Sequence, residues 1–312
     1  MLPIIQSLWI GAPLSNLEKL CVQSFLDNGH EFHLYVYDDV HGIPAGATVM
    51  DANEIIPSSE IFYTRKKYVA PFSDWFRYAL IAKRGGVWVD MDTICIKPFD
   101  FDEDIVFGID SLCAIIAILK FPENHFLMRA LESFCRDHTQ AQPWDNATAK
   151  NTQRLFSASR EKISYQAFGN QAFDKAVRYY GLEEYGKPYM YFYPSNDDQA
   201  KTLFDDSFKD GIDLYSITHS MHISNKVLGK SGLDKNSNFS EHSLFEQLKR
   251  KHGIAPVPNA PTIGVKQVQA LFIKRAKEHD ERRNRQVRKY KKRAIAIMAI
   301  GALLGFFAGY WV

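Results

Sequence analysis

The chain has 312 residues, 46% hydrophobic and 24% charged, which supplies the core of one large α/β domain with appendages and excludes a disordered chain. Its formal net charge of +2 hides an asymmetry: residues 274–293 hold eleven Lys or Arg against Glu278, Asp280 and Glu281, a local net of +8 that leaves −6 for the rest. An acidic body excludes general nucleic-acid binding by the globular part and concentrates the positive field near the C-terminus.

Pro3 to Ile10 reads as a first strand rather than a signal peptide, because no basic residue precedes it and its apolar stretch is short. Ser15-Asn16-Leu17-Glu18 has capping-box spacing and opens a helix through Asp27 that Gly29 closes. Phe32 to Tyr37 is the next strand. Strand and helix alternating at this pace predict a parallel-centred α/β sheet, with ligands at the C-terminal ends of its strands. Residues 39–72 read as looser, with Gly42, Pro44, Gly46, Pro57 and the basic run Arg65-Lys66-Lys67. Ser73 then caps a helix to about Arg84, Gly85-Gly86 stops it, and the run Val87-Trp88-Val89 delivers Asp90 and Asp92 to a sheet edge. Strands near 104–109 and 112–119 and helices near 123–137 and 170–180 continue the domain. Tyr189 to Tyr193 either rims a pocket or edges the core. Ile217 to Ile223 is a late strand carrying His219 and His222, and Ser240 to Lys251 a short helix. Gly253 to Gly264, with Pro256, Pro258 and Pro261, is the natural boundary. Cys21, Cys95, Cys113 and Cys135 form no CxxC pair and fit a reducing compartment.

Ala294 to Val312 carries no charge over 19 residues. As a helix it is about 28 Å long, against about 30 Å of bilayer core. Gly301, Gly305 and Gly309 line one face where another helix, and so a second copy, can approach, although ordinary membrane-helix composition gives the same spacing. The basic run before the segment favours a cytoplasmic head with a C-terminal single-pass anchor and attracts anionic lipid. The expected divisions are a catalytic domain over 1–255, a linker and basic helical stalk over 256–293, and a transmembrane helix over 294–312.

Asp90 and Asp92 offer hard oxygen ligands suited to Mn²⁺ or Mg²⁺, too few for a closed cage, so substrate oxygens must complete the shell. DxD alone is a common pattern. The phosphatase pattern DxDx[TV], whose first Asp attacks phosphate, wants Thr or Val where Ile94 stands and a first strand where at least two strands precede.

The surroundings of the pair are more specific. Ser73-Asp74-x-x-Arg77-Tyr78 followed by Gly85-Gly86-Val87-Trp88-Val89-Asp90-Met91-Asp92 resembles the sugar-binding region of DxD glycosyltransferases, a group that includes mannosyltransferases, α1,4-glycosyltransferases and the clostridial glucosylating toxins. The resemblance extends to Ile5–Gly11 and to Gly29–Asp39, covers about residues 3–255, and is closest to bacterial members. It implies a glycosyltransferase A-type, Rossmann-like mixed sheet flanked by helices, and transfer of a hexose from a UDP- or GDP-sugar to a glycan or glycolipid with retention, giving an α-linkage. By the same resemblance Trp9 lies against the nucleotide base, Asp74 and Arg77 hold the donor sugar and its phosphate, Asp90 faces the ribose and sugar, and Asp92 is the direct metal ligand. Asp74 and Arg77 are three apart on one helix face, so a carboxylate acceptor and a guanidinium donor can grip one ligand; an intrahelical salt bridge on a solvated face is the lesser alternative. Thr218–Lys226 resembles the family's late His-containing motif, and aligning Asn225 selects His222 as a ligand to metal or diphosphate, with Asn225 donating to phosphate. Ile223-Ser224 replaces the usual Leu-Trp, and Gly169-Asn170 stands where relatives have Gly-Pro near the transferred sugar. Asp197 and Asp198 are acceptor-side candidates or a solvated turn. No nucleophile or base follows from the sequence. The rival class is a non-catalytic membrane adaptor that retains the fold and works through its stalk and glycine-lined helix.

Overall fold

In a computed structural model of the chain the described residues are 2–11, 13–110, 113–145, 159–194, 200–209 and 216–308; the side chains of 226, 227, 230 and 292–308 are outside the description. In chain order the main elements are β1 (Ile5–Trp9), α1 (Asn16–Asp27), β2 (Phe32–Val36), β3 (Thr48–Asp51), α2 (Ala70–Arg84), β4 (Gly86–Val89), β5 (Thr93–Cys95), β6 (Val106–Asp110), β7 (Cys113–Phe121), α3 (Phe126–Arg136), α4 (Asn170–Tyr180), β8 (Gly186–Pro188), β9 (Ser220–His222), α5 (Asn225–Ser231), α6 (Leu244–Lys251) and α7 (Val265–Ala308).

The main sheet runs β3-β2-β1-β4-β7-β6-β8. Its first four strands are parallel, β7 is antiparallel to both β4 and β6, and β8 is parallel to β6. The sheet is therefore mixed, parallel on the half that the sequence displays as alternating strand and helix. Successive residues of the central strands enter opposite cores. Leu8, Tyr35 and Trp88 join Phe72, Phe76 and Leu119 on one face, whereas Ile5, Leu34, Val87 and Val89 join Val22 and Phe25 on the other. Burial on both faces explains the near-continuous apolar runs of β2 and β4. Two polar side chains inside β1 are satisfied by its neighbours: Gln6 Nε2 donates to Gly85 O at 2.8 Å and Ser7 Oγ to Val89 O at 2.7 Å. These bonds hold both ends of β4, and with its last residue the DxD, to β1.

Local expectations hold with two differences. The Glu18 carboxylate accepts from the Ser15 N–H at 2.9 Å, as a capping box requires. The looser stretch 39–72 contains β3, an edge strand whose Thr48, Val49 and Asp51 are exposed, so it lacks the apolar alternation that marks a strand. The second helix begins at Ala70, before the expected cap at Ser73. Pro71 sits in its first turn, where a missing N–H costs nothing, and the Ser73 N–H donates to Val69 O at 3.1 Å.

The late strand β9 pairs antiparallel with β5 in a second, two-stranded sheet, with Thr93 opposite His222. Beyond α6, the Ile263 N–H donates to Asn238 O at 2.8 Å, and Val268 and Phe272 of α7 are buried against Leu228, Phe245 and Leu248. Among the described residues no helix is long and apolar enough to cross a membrane. The expected span over 294–312 falls on side chains outside the description, and so do Gly301, Gly305 and Gly309; Asp197 and Asp198 also lie outside the described residues.

Candidate active site

The β1–β4 pair is where the chain changes direction across the sheet. From β1 it passes to β2 on one side, and from β3 it returns to β4 on the other. In open α/β sheets such a switch point leaves a crevice at the C-terminal ends of the strands. A cavity of about 660 Å³ opens there, and Trp9, Asp74, Arg77, Asp90, Asp92, His222 and Asn225 all line it. The tertiary structure thus brings together every site residue expected from the sequence whose position is described.

Arg77 is the hub. Nη2 pairs with Asp74 Oδ1 at 3.0 Å and Nη1 with Asp90 Oδ1 at 2.9 Å, while Nη1 also donates to Ile116 O at 2.6 Å. Its guanidinium lies 4.9 Å from the centre of the Trp88 ring, and the Trp88 indole N–H donates to the same Asp90 Oδ1 at 2.9 Å. The i,i+3 pair expected on α2 is present, and it is buried rather than solvated: Asp74 and Arg77 are 6% and 4% exposed. Burial pushes the Asp74 carboxyl up to about 7, with Arg77 opposing and Asp90 adding to the rise. Burial likewise raises Asp90, against Arg77. Asp92 goes the other way. Burial would raise it too, but His222 and the Asn225 N–H hold it below the ordinary carboxylate value.

Asp92 is built from two distant segments. His222 Nε2 stands 3.1 Å from Asp92 Oδ1, the Asn225 N–H donates to Oδ2 at 2.7 Å, and the Ile223 N–H donates to Asp92 O at 2.7 Å. One ligand atom each from Asp90, Asp92 and His222 lies within 4.8 Å of the others. Two carboxylates and an imidazole suit Mn²⁺ or Mg²⁺, and three donors leave room for substrate oxygens, so this set fits a divalent cation. Two buried polar atoms, Arg77 Nε and Asn225 Oδ1, have no hydrogen-bond partner among the described residues. Groups of this kind at a cavity wall are suited to a polar ligand. His219, the rejected alternative, is used structurally: Nδ1 meets Pro98 O at 2.8 Å and the ring stacks on Tyr191.

Gly169 serves by its size. A Cβ there would sit 3.1 Å from Asp74 Oδ2, so glycine lets this loop close over the carboxylate. Asn170 Oδ1 accepts the Ile116 N–H at 3.1 Å and fixes the loop to β7. Three further cavity neighbours had no assigned role in the sequence. Trp88 lay inside the motif but reads as a core residue. Tyr165 has no local signal; its phenol, raised to about 12 by burial and then by Asp74, Asp90 and Asp92, adjoins the carboxylates. Lys235 places Nζ 5.4 Å from the Trp9 ring centre and bonds the buried Glu18 carboxylate.

Residues 15–110 match the family described as glycosyltransferase sugar-binding region containing DXD motif. No curated protein matches the sequence. Two solved structures are similar at low identity. PaToxG Glycosyltransferase is 16% identical, with 58% of this chain and 75% of that one covered and a TM-score of 0.38. A transferase with two Cys-to-Ser substitutions is also 16% identical, with 53% and 88% covered and a TM-score of 0.27. The matched segment is the one that supplies α1, α2, the DxD and three of the four strands of the parallel half-sheet, and the carboxylate a phosphatase would need as nucleophile is tied by two donors on one oxygen. The cavity is walled in part by a segment that matches the sugar-binding region of DXD-containing glycosyltransferases, a match that supports an enzyme.

Proposed function

We propose that the enzyme moves a hexose from a nucleoside-diphosphate sugar to a glycan or glycolipid acceptor, on a glycosyltransferase A-type fold and with a divalent cation held by Asp92 and His222 beside Asp90. The observation that carries this reading is the convergence of Asp92 with His222 and Asn225, 130 residues and more downstream in sequence, at the mouth of the Asp74–Arg77–Asp90 network. A bound Mn²⁺ or Mg²⁺ supplies Lewis-acid stabilisation of charge on the departing diphosphate. The chain's own residues do the rest. Trp9 offers a face to the base. Buried Asp74 accepts from sugar hydroxyls while Arg77, fixed on both sides by carboxylates, keeps it in place. Asn225 presents its side chain toward the diphosphate.

The basic stretch 274–293 and the uncharged 294–312 support a membrane setting with the head on the cytoplasmic side, as in a bacterial inner membrane, near lipid-linked acceptors. Hydrolysis of candidate UDP- and GDP-sugars with Mn²⁺ tests the reading. Asp92→Asn is expected to lower turnover at least about 100-fold, a loss of several kcal/mol in transition-state stabilisation. Equal turnover by both proteins, or none by the parent with any donor, overturns it. A thermal-shift screen of donors with Mn²⁺ identifies the nucleotide.

A further inference from the structure

Arg65, Lys66 and Lys67 have no part in the donor chemistry, yet they are held in a built loop next to it. The Thr64 N–H donates to Tyr68 O at 2.9 Å, the Lys67 N–H to Thr64 O at 2.8 Å, and the Tyr68 N–H to Thr64 Oγ1 at 3.2 Å. The Arg65 N–H crosses to Glu161 O at 2.9 Å, tying the loop to the segment that carries Tyr165. Lys67 is fixed at φ 62°, a left-handed backbone that a non-glycine residue keeps only where its surroundings impose it, often at a ligand site. The result is three consecutive cations turned to solvent.

Two tyrosines connect this loop to the cavity. The Tyr68 and Tyr165 rings meet edge to face at 5.2 Å; they are 47% and 37% exposed, and Tyr165 also lines the donor cavity. On the outer side lies a second cavity of about 520 Å³, walled by Phe62, Tyr63, Arg65, Lys67 and Glu161, among others. Its floor is stiff. The Arg160 guanidinium sits 5.4 Å from the Phe62 ring centre and 4.5 Å from that of Trp75, and pairs with Glu60 at 2.8 Å. Glu161 is the one acid on that wall among the described residues, against two cations.

Exposed aromatic faces suit the C–H faces of sugar rings, and a guanidinium beside an ammonium suits a carboxylate or phosphate. The molecule outside the stalk is net acidic, so a fixed cationic loop at the cavity mouth attracts and orients an anionic ligand that the rest of the surface repels. We propose that the Thr64–Tyr68 loop, the Tyr68–Tyr165 step and the adjoining cavity bind an anionic glycan acceptor, its sugar ring on the tyrosines and its carboxylate or phosphate at Arg65 and Lys67. The assignment as acceptor, rather than mere ligand, rests on the proposed transferase reading.

The test measures binding to the full chain of a galacturonate hexamer, a phosphorylated oligosaccharide, a neutral glucose hexamer and anionic phospholipid vesicles, at low and high salt. One acidic saccharide is expected to bind at least tenfold more tightly than the neutral hexamer, with an affinity that falls with salt. Arg65→Glu combined with Lys67→Asn, which tolerates the left-handed backbone, is expected to weaken it at least tenfold, and Tyr68→Ala about fivefold. Donor hydrolysis by these variants stays within twofold of the parent, which shows them folded. Equal binding of acidic and neutral saccharides, unchanged affinity in the variants, or a variant-sensitive interaction confined to vesicles each overturns the proposal. Absence of donor hydrolysis in the parent instead overturns the transferase reading, and the acidic-saccharide arm still decides the binding site.

Discussion

Asp74 is a site carboxyl held far from its ordinary form. Its pair with Arg77 at 3.0 Å favours ionisation, while burial favours the neutral acid, and burial wins by enough to place the carboxyl at about 7. In the unfolded chain the same group titrates at about 3.9. Between those values the folded state binds the proton more tightly, so the contribution of Asp74 to stability is full below about pH 4 and is lost as pH rises through 7, with a slope of at most about 1.4 kcal/mol per pH unit. Thermal denaturation of the parent and Asp74→Asn across pH 5 to 7.5 reads this directly. The parent is expected to lose stability relative to the variant as pH rises, and parallel curves would contradict the assignment. The sequence displayed Asp74 and Arg77 as neighbours on one helix face, with a solvated salt bridge as the lesser alternative. Burial by Trp88 of the adjoining β4, and by Ile116 and the Gly169 loop from elements far from α2 in sequence, decides between them.

At the scale of elements, the α2–β4 corner sets the position of the DxD. Gly85 has φ +64°, and a Cβ there would meet Glu123 N at 2.6 Å; Gly86 follows at φ +86° with Gln6 packed against it. Gly85→Ala combines an unfavourable backbone region with a clash against main chain, and is expected to destabilise by about 2 kcal/mol or more. Chemical denaturation measures it, and a loss below about 0.5 kcal/mol would show that the corner relaxes freely. This corner was legible in the sequence because glycine pairs after an amphipathic helix have one cheap use. The edge strand β3 was not, since one-sided pairing leaves Thr48, Val49 and Asp51 exposed and erases the periodicity. The start of α2 was misplaced for a related reason. Ser73 has capping chemistry, but Pro71 is compatible with a first turn and the apolar face of the helix begins earlier, with Phe72.

For the whole molecule, the first turns of α7 belong to the body. Val268 is fully buried and Phe272 is 7% exposed in a cluster with Phe245 and Leu248. Ending the chain at Gly264 removes both, at a cost of about 2–5 kcal/mol by the usual range for large core deletions. Ending it at residue 291 keeps that packing. The shorter chain is therefore expected to melt lower than the longer, and alkaline extraction of membranes is expected to release the 291-residue chain while the full chain stays. Retention of the 291-residue chain would contradict anchoring by residues 294–312. Equal melting would show that α7 contributes no packing. The sequence by itself determined β1, β2 and β4 of the parallel half-sheet, the α2 helix with its acid–base pair, the glycine corner and the DxD, because each is a local pattern of period, cap or spacing. It also pointed to His222 and Asn225, through a resemblance. Only the tertiary structure decided that these two close on Asp92, that Trp88 and Tyr165 share the cavity, and that a basic loop opens beside it. Such contacts are set by strand order and by β5 pairing with β9, and no run of adjacent residues encodes the distance between segments 130 positions apart.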